Sequence, residues 1–438
     1  MKNAFLVAAP SSNSGKTVIT LGLIKALKNK GLNVQPFKCG PDYIDPLQHT
    51  QVAGSRSYNL DVWMSNEEHI AQIFTQKLDN ADVGIVEGVM GLFDGAKRDK
   101  GSSAEIAQIL DLPVMLIVNA AATAYSVAPL LYGFKNFNPN VKVCGVIFNR
   151  VSGESHYSFL KEAADDAGVV SLGYVPKNKD LTLESRHLGL SLTESEAMLK
   201  AVDVASALIE AHVDLDQLLK ISVCHKSGGK TNDKMKSTGK GLKFAVAHDE
   251  AFNFMYPANI DCLKQLGEVV YFSPLHDTEL PAADLVWMPG GYPELYAQKL
   301  SENVAMLNAI KQYEQGGGKL VAECGGMMYL GQSICLDDDT RYPMAGIFDY
   351  SSTLQNMKLK LGYRTVNIEG AIFKGHEFHY SSIEKRGSGM AEAESKTARG
   401  VTVDMPIYRS ENCWSSYFHI YLGESDKMKQ FIDLLLRA

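Results

Sequence analysis

Cysteine is scarce and unpatterned in this sequence: seven residues, at positions 39, 144, 224, 262, 324, 335 and 413, with no CxxC pair among them. An odd, scattered set excludes a disulfide framework and a cysteine-rich zinc site, and it points to a reducing, cytoplasmic compartment. Long apolar runs are also missing. Nothing approaches the ~20 residues that span a bilayer, and the apolar opening MKNAFLVAAPSS is too short for a secretory signal. No membrane partner is expected. Basic residues are outnumbered, 43 against 50, for a net charge of −7. A chain without a basic surplus lacks the counterion-displacing face of a nucleic-acid binder, so none is expected as a partner. A local basic pocket for an anionic substrate remains compatible with that balance. No internal repeat suggests a solenoid or propeller. What remains is an ordinary globular composition, 45% hydrophobic and 21% charged over 438 residues, a length that suits two domains of roughly 200 residues each.

The first half alternates apolar runs with helix-length spacers. FLVAA (5–9) precedes a helix from Gly15 to about Lys30, and NVQPF (33–37), DVGIVEG (82–88), PVMLIVNA (113–120) and VKVCGVIFN (141–149) follow. Continuous rather than alternating Val/Ile/Leu runs mark strands buried on both faces, and the spacers mark a parallel, doubly wound sheet. HKSGGKTNDKMKSTGKG (225–241) is Lys-, Gly-, Ser- and Thr-rich and reads as a linker. A second α/β series runs through LKFAVAHD (242–249), EVVYF (268–272), DLVWMPGG (284–291) and KLVAECGG (319–326), with short strands and turns from about Leu359 and a final helix. The expected organisation is α/β with two doubly wound domains, 1–224 and 242–438, joined by 225–241.

FLVAAPSSNSGKTVITLGLIKAL has the order of a P-loop: buried strand, small-residue loop, Gly-Lys-Thr, amphipathic helix. Backbone N–H groups of Ser12, Asn13, Ser14 and Gly15 and the helix N-terminus would hold the phosphates of ATP. Lys16 adds a point charge, and the Thr17 hydroxyl suits Mg²⁺. Pro10 stands where the usual pattern has its first Gly, so the loop must enter its turn differently. Glu87 ends a strand and is expected to hold Mg²⁺ directly or through water. Asp42, Tyr43 and Asp45 lie in the turn-rich KCGPDYIDP (38–46), with Lys38 at its start. Either Asp serves the substrate or metal, or it caps its own turn; Lys38 either meets an anion or is a surface lysine. EGVMGLFDG (87–95), with three glycines and Asp94, reads as a loop lying against a ligand.

In the second half, KLVAECGGMMYLG puts Cys324 between a strand and a helix-forming run. This is a nucleophile elbow with Cys in the Ser position, led by Ala322 rather than Gly. A helix N-terminus there is expected to lower the thiol pKa toward neutrality. The N–H groups of Gly325 and of the MPGGY loop, at Gly290 or Gly291, would hold an oxyanion. A thiolate needs an imidazole, and the half offers His248, His276, His376, His379 and His419. His419, late in the chain on an apolar strand, is the expected base. GHEFHYS (375–381) reads as a substrate-binding or domain-contact loop; its spacing is not that of a zinc site.

With these residues in place, the chain resembles the cobyrinic acid a,c-diamide synthases, a family of corrin amidases. The resemblance rests on SGKT (14–17), FKCGPDYIDP (37–46), EGVMGLFDG (87–95), ESRHLGL (184–190), MPGGYPEL (288–295), ECGGMMYLG (323–331) and GHEFHYS (375–381). It implies a dethiobiotin-synthetase-like ATPase and corrinoid-amidating domain joined to a class I glutamine amidotransferase-like domain. It also implies cobyrinate or a related tetrapyrrole, L-glutamine and ATP as substrates, with Mg²⁺ as cofactor. Lys38, Asp42, Tyr43 and Asp45 would then bind substrate, and Thr17, Asp45 and Glu87 the metal. Cys324 would attack glutamine, with His419 as its base and Gly291 and Gly325 as the oxyanion donors. Relatives of the glutaminase class carry His-x-Glu, where this chain has Tyr421 after His419; the usual orienter of the imidazole is absent. Hydrogenobyrinate and nickel-sirohydrochlorin remain as alternative rings, and a P-loop switch ATPase as an alternative class that leaves the CGG elbow unexplained. Arg186, His187 and His156 are further candidates to meet a polycarboxylate, or else surface residues. A homodimer is compatible with the sequence.

Overall fold

Lys2–Ala8 forms the first strand (β1) because its apolar run can be covered on both faces, and helices cover it. A computed structural model describes residues 2–181, 196–224, 241–385, 387–390 and 393–436. ESRHLGL, with Arg186 and His187, lies outside the described residues, as does the expected linker except for Gly241. The chain divides into two units, Met1–Asn232 and Asp233–Ala438.

After β1 the first unit continues α1 (Lys16–Asn29), β2 (Val34–Cys39), α2 (Ile44–Ala53), β3 (Tyr58–Leu60), α3 (Glu67–Leu78) and β4 (Val83–Glu87). Next come α4 (Ser103–Ile109), β5 (Val114–Asn119), α5 (Val127–Asn136), β6 (Val143–Val151), α6 (Glu154–Asp166) and β7 (Val170–Pro176). Then α7 (Glu196–His212), α8 (Leu215–Ile221) and β8 (Val223–Cys224) close it. The sheet runs β3-β2-β4-β1-β5-β6-β7, all parallel, with β8 antiparallel to the start of β1. Strands β3 and β7, absent from the sequence reading, extend it at both ends. Strand order reverses beside β1, so the loops after β1, β2 and β4 emerge side by side at the carboxyl ends, where ligands gather in open α/β sheets.

The second unit begins β9 (Leu242–Ala247), α9 (Pro257–Leu266), β10 (Gly267–Phe272) and β11 (Leu285–Met288). It continues α10 (Ala297–Glu302), α11 (Val304–Gln315), β12 (Lys319–Glu323) and α12 (Gly325–Leu330). Eight short or paired strands follow: β13 (Ser333–Cys335), β14 (Arg341–Pro343), β15 (Ser351–Thr353), β16 (Lys360–Ile368), β17 (Ala371–His379), β18 (Ser382–Lys385), β19 (Ser395–Thr397) and β20 (Ile407–Arg409). The unit ends with β21 (Cys413–Ser416), β22 (Phe418–Ile420) and α13 (Ser425–Leu436). Its main sheet is β10-β9-β11-β12-β21-β20, parallel except for β20. Two four-stranded sheets, β14-β13-β15-β18 and β19-β16-β17-β22, stand beside it. The strand-rich region therefore starts near Ser333, earlier than the sequence pattern expects, because these strands are too short to show periodicity. Adjacent strands β11, β12 and β21 bring the Gly-Gly loop, Cys324 and the segment leading to His419 to one edge.

Candidate active sites

In the first unit, the P-loop turns through left-handed backbone at Asn13 (φ 63°) and Gly15 (φ 87°). Only Gly tolerates position 15, because a β-carbon there would meet Asn149 Nδ2 at 2.2 Å. That same amide donates to the Ser14 carbonyl at 2.9 Å, and Ser14 Oγ donates to the Ser11 carbonyl at 2.9 Å. The loop is thus held from below by the end of β6, while Ser12 and Asn13 stand exposed at its tip. Lys16 Nζ donates to the Met90 carbonyl at 2.9 Å. Burial and the nearby Lys38 ammonium lower its pKa, so a phosphate bound there would stabilise a charge that these surroundings disfavour. Loop 87–95 runs alongside: Leu92 N–H donates to the Ala9 carbonyl at 2.9 Å, and Asp94 closes its turn by accepting from Gly91 N–H at 2.9 Å.

Glu87 is fully buried at the centre of a polar cluster. Its Oε1 accepts from Thr17 Oγ1 at 2.9 Å and from Lys38 Nζ at 3.0 Å, while Oε2 meets His49 Nε2 at 2.7 Å. Lys38 also donates to Asp45 and to the Gly88 carbonyl. Burial alone would lower the Lys38 pKa, but Asp45 and Glu87 outweigh it and hold it above the usual lysine range. Glu87 mirrors this: burial pushes its carboxyl up, and Lys38 brings it below the usual range. Lys38 is therefore no surface lysine. It is the counter-ion of the two carboxylates expected at the metal. Asp42 accepts from the N–H groups of Ile44 and Asp45 at 2.8 and 3.2 Å, the turn-capping role left open by the sequence. Tyr43 is buried beside it. Thr17, Asp45 and Glu87 form an oxygen-only donor set, which fits Mg²⁺ completing its shell with phosphate oxygens and water. Among the described residues no group of three or more His, Cys, Asp or Glu side chains forms a protein-only metal cage.

In the second unit, Cys324 caps α12 with φ 48° and ψ −103°. A non-glycine residue in that region stores about 1–3 kcal/mol of strain, a cost that β12 and α12 enforce and that aims the sulfur out of the turn. The thiol donates to the Phe378 carbonyl at 3.7 Å, and Cys324 N–H donates to the Ser416 carbonyl at 2.8 Å. Behind it, Gly291 N lies 3.0 Å from where a Gly325 β-carbon would stand, so both expected oxyanion donors sit beside the nucleophile. The thiol pKa corrects the sequence reading. Burial pushes it up, Glu294, Glu323 and Glu377 add to this, and the Gly325 N–H only partly opposes them.

His419 is buried and pairs in register with His376 across β22 and β17. The two rings stack at 4.8 Å and 16°, and His376 Nδ1 is hydrogen-bonded to Tyr256 Oη at 2.7 Å. Tyr256 meets Tyr421 edge-on at 5.1 Å. Tyr421 is thus linked to His419 through a chain of rings, and Glu323 Oε2 lies 3.9 Å from His419 Nδ1. Burial, then His376 and His379, hold His419 well below the usual histidine range. The resting pair is an uncharged thiol and an uncharged imidazole.

GHEFHYS is not a loop. It lies on β17 and the turn after it, and its side chains are largely buried. Glu377 binds Arg364 at 2.7 Å and His379 at 2.8 Å, and the His379 ring stacks on Tyr417 at 3.6 Å. The segment walls the thiol site, where the Phe378 carbonyl accepts from Cys324. Of the other histidines, His276 pairs with Glu250 at 2.9 Å on an exposed face, and His156 accepts from Ser152 N–H at 3.2 Å.

Two family models match this chain. Residues 5–190 match the CobQ/CobB/MinD/ParA nucleotide binding domain, and residues 243–427 match the CobB/CobQ-like glutamine amidotransferase domain. Among curated relatives, a cobyrinate a,c-diamide synthase of Listeria innocua is 39% identical over 439 residues, covering 97% of each chain. One of Salmonella typhimurium is 38% identical, covering 98% of this chain and 97% of its own. The chain belongs to the cobyrinate a,c-diamide synthase family.

Membership makes it a glutamine-hydrolysing ligase with an ATP-binding domain, and it removes the switch-ATPase alternative. No helix among the described residues is long and apolar enough to cross a membrane. Several residues of this synthase-family site escaped the sequence reading. His49 is one polar residue on a helix, and nothing local ties it to Glu87. Asn149 did carry a signal, as a polar residue closing the apolar run VKVCGVIFN near the carboxyl end of β6. Gly290 gives a sharp test: a β-carbon there would stand 2.3 Å from His419 Cε1. Gly290→Ala should lower glutamine hydrolysis about 100-fold by displacing the imidazole, at a stability cost of about 1–3 kcal/mol from overpacking. Steady-state ammonia release and thermal melting check the two halves of that expectation.

Proposed function

We propose that this enzyme amidates the a and c acetate carboxylates of cobyrinate, taking nitrogen from glutamine and energy from ATP at each step. In the second unit, His419 takes the Cys324 proton as sulfur attacks the glutamine amide carbon, and the N–H groups of Gly325 and Gly291 hold the oxyanion. The proton then goes to the leaving nitrogen, ammonia departs, and water hydrolyses the thioester to glutamate.

In the first unit, the P-loop and Lys16 hold ATP while the ring's carboxylate attacks the γ-phosphorus, giving an acyl phosphate and ADP. Ammonia displaces phosphate to form the amide. Lys38, Asp42, Tyr43 and Asp45 are the proposed lining on the substrate side. Thr17, Asp45 and Glu87 would hold Mg²⁺, which when bound supplies positive charge against the phosphate oxygens. A carboxylate is a poor acylating agent and ammonia is mostly protonated at neutral pH, so each centre provides what the other needs. The cytoplasm, where ATP and glutamine are plentiful, is the proposed compartment.

The observation that carries this reading is one chain holding both a strained, glycine-backed Cys324, with the Gly290–Gly291 loop set against its neighbour Gly325 and against the buried His419, and a P-loop joined to Glu87. The deciding experiment incubates the protein with amide-¹⁵N glutamine, Mg²⁺–ATP and, in parallel, cobyrinate, hydrogenobyrinate or nickel-sirohydrochlorin. Mass spectrometry should find two ¹⁵N amides on cobyrinate. Faster labelling of either other ring would replace cobyrinate as the substrate.

A further inference from the structure

The loop carrying Gly290 and Gly291 runs on through Tyr292 into a single turn, Pro293–Tyr296, that contains Glu294. Pro293 presses this turn against the nucleophile's neighbour: its Cδ lies 2.8 Å from where a Gly325 β-carbon would stand. Glu294 Oε2 is sealed from solvent and has no hydrogen-bond partner. Of the charged groups around the Cys324 thiol, Glu294 acts on it most strongly, and it also acts on the Tyr417 hydroxyl. The other two acidic side chains are placed differently: Glu323, which also has one oxygen without a partner, faces His419 Nδ1 at 3.9 Å, and Glu377 is held by Arg364 and His379. A sealed carboxylate oxygen without a donor is costly in a folded protein, and one explanation for keeping it is a ligand that supplies the donor.

The substrate of this site carries that donor. L-Glutamine presents its side-chain amide to the sulfur and, a few bonds away, an α-ammonium group. We propose that Glu294 receives the α-ammonium of glutamine and so selects an α-amino acid over other carboxamides. The assignment rests on the reading of Cys324 as the glutaminase nucleophile. It also accounts for the uncharged resting pair. Glu294 raises the cost of a thiolate beside it, burial lifts its own pKa to about 7, and an ammonium placed against it cancels the opposing charge. The substrate itself then favours transfer of the Cys324 proton to His419, and the empty site stays idle.

The test compares L-glutamine with glutaramate, which keeps the amide and the carboxylate but lacks the α-amino group. Ammonia release is measured with the full chain, acceptor and Mg²⁺–ATP present, for wild type and Glu294→Gln. Wild type should favour glutamine at least about 10-fold in kcat/KM. Glu294→Gln should lose about 10- to 100-fold on glutamine, chiefly in KM, and lose nothing on glutaramate, whose hydrolysis should stay level or rise because the charge that opposes the thiolate is gone. An equal loss on both amides, or no loss on glutamine, overturns the assignment. The wild-type ratio stands without the variant, so a misfolded Glu294→Gln does not remove the test. A wild type that hydrolyses both amides equally sinks this inference alone, whereas one that ignores glutamine sinks the glutaminase reading beneath it.

Discussion

Cys324→Ser should reduce glutamine-driven amidation at least about 1,000-fold, while amidation driven by a high concentration of ammonium stays within about threefold of wild type. The exchange is nearly isosteric, and serine accepts the same φ of 48°, so the fold has no reason to change. The chemistry does. Burial and the facing carboxylates already hold the thiol above its ordinary pKa, and burial with neighbouring imidazoles keeps His419 neutral. The pair starts with no charge separation in reserve, and a hydroxyl is much harder to ionise than a thiol. Parallel assays with amide-¹⁵N glutamine and with ¹⁵N-ammonium separate the two routes. A serine variant that still uses glutamine, or one that loses both routes, contradicts the division of labour between the units.

The places where sequence reading succeeded share a cause. Buried parallel strands leave continuous apolar runs, and Gly15, Glu87, Gly291 and Cys324 sit at or just beyond their carboxyl ends, so the placement of these candidates was legible from strand ends and loop composition. Its failures share one too: they depend on partners distant in sequence. Lys38 looks like a surface residue until β2 and β4 pair and bring Glu87 onto its ammonium, where Asp45 at the start of α2 meets it too. The thiol's helix N-terminus was legible, but the burial that outweighs it, and the Glu294 and Glu377 carboxylates that add to it, depend on elements packed from elsewhere in the chain. β17 is instructive in another way. Ala371, Phe373 and Gly375 are buried while Ile372 and Lys374 are exposed, a readable alternation. From Gly375 to Phe378 the next strand and the thiol site take up nearly every side chain, the period vanishes, and histidines and glycine imitate a loop.

Lys38→Met should raise the opening population of the first unit by the equivalent of about 3–5 kcal/mol at pH 8, the usual cost of stranding buried charges whose partner is removed. Methionine fills most of the volume, so the loss is electrostatic. Asp45 and Glu87 are both within reach of the one ammonium and would be left facing each other. In wild type the Glu87 carboxyl is held below its usual range because Lys38 outweighs burial. Its stabilisation is therefore fully present above the unfolded pKa of about 4.3 and is lost as pH falls through the lower folded value. In the variant the sign reverses. Burial and like charge lift the carboxyl pKa values above their unfolded values, so the penalty is present at high pH and is relieved as a proton enters. The gap between the two proteins should be widest near pH 8 and narrow steadily toward pH 5. Hydrogen exchange on peptides from β1, β2 and β4, corrected for intrinsic rates, reads the opening free energy of this unit alone. A gap below about 1 kcal/mol at pH 8 would show that Lys38 is not what holds these carboxylates in place, and a gap unchanged by pH would show that the loss is one of packing.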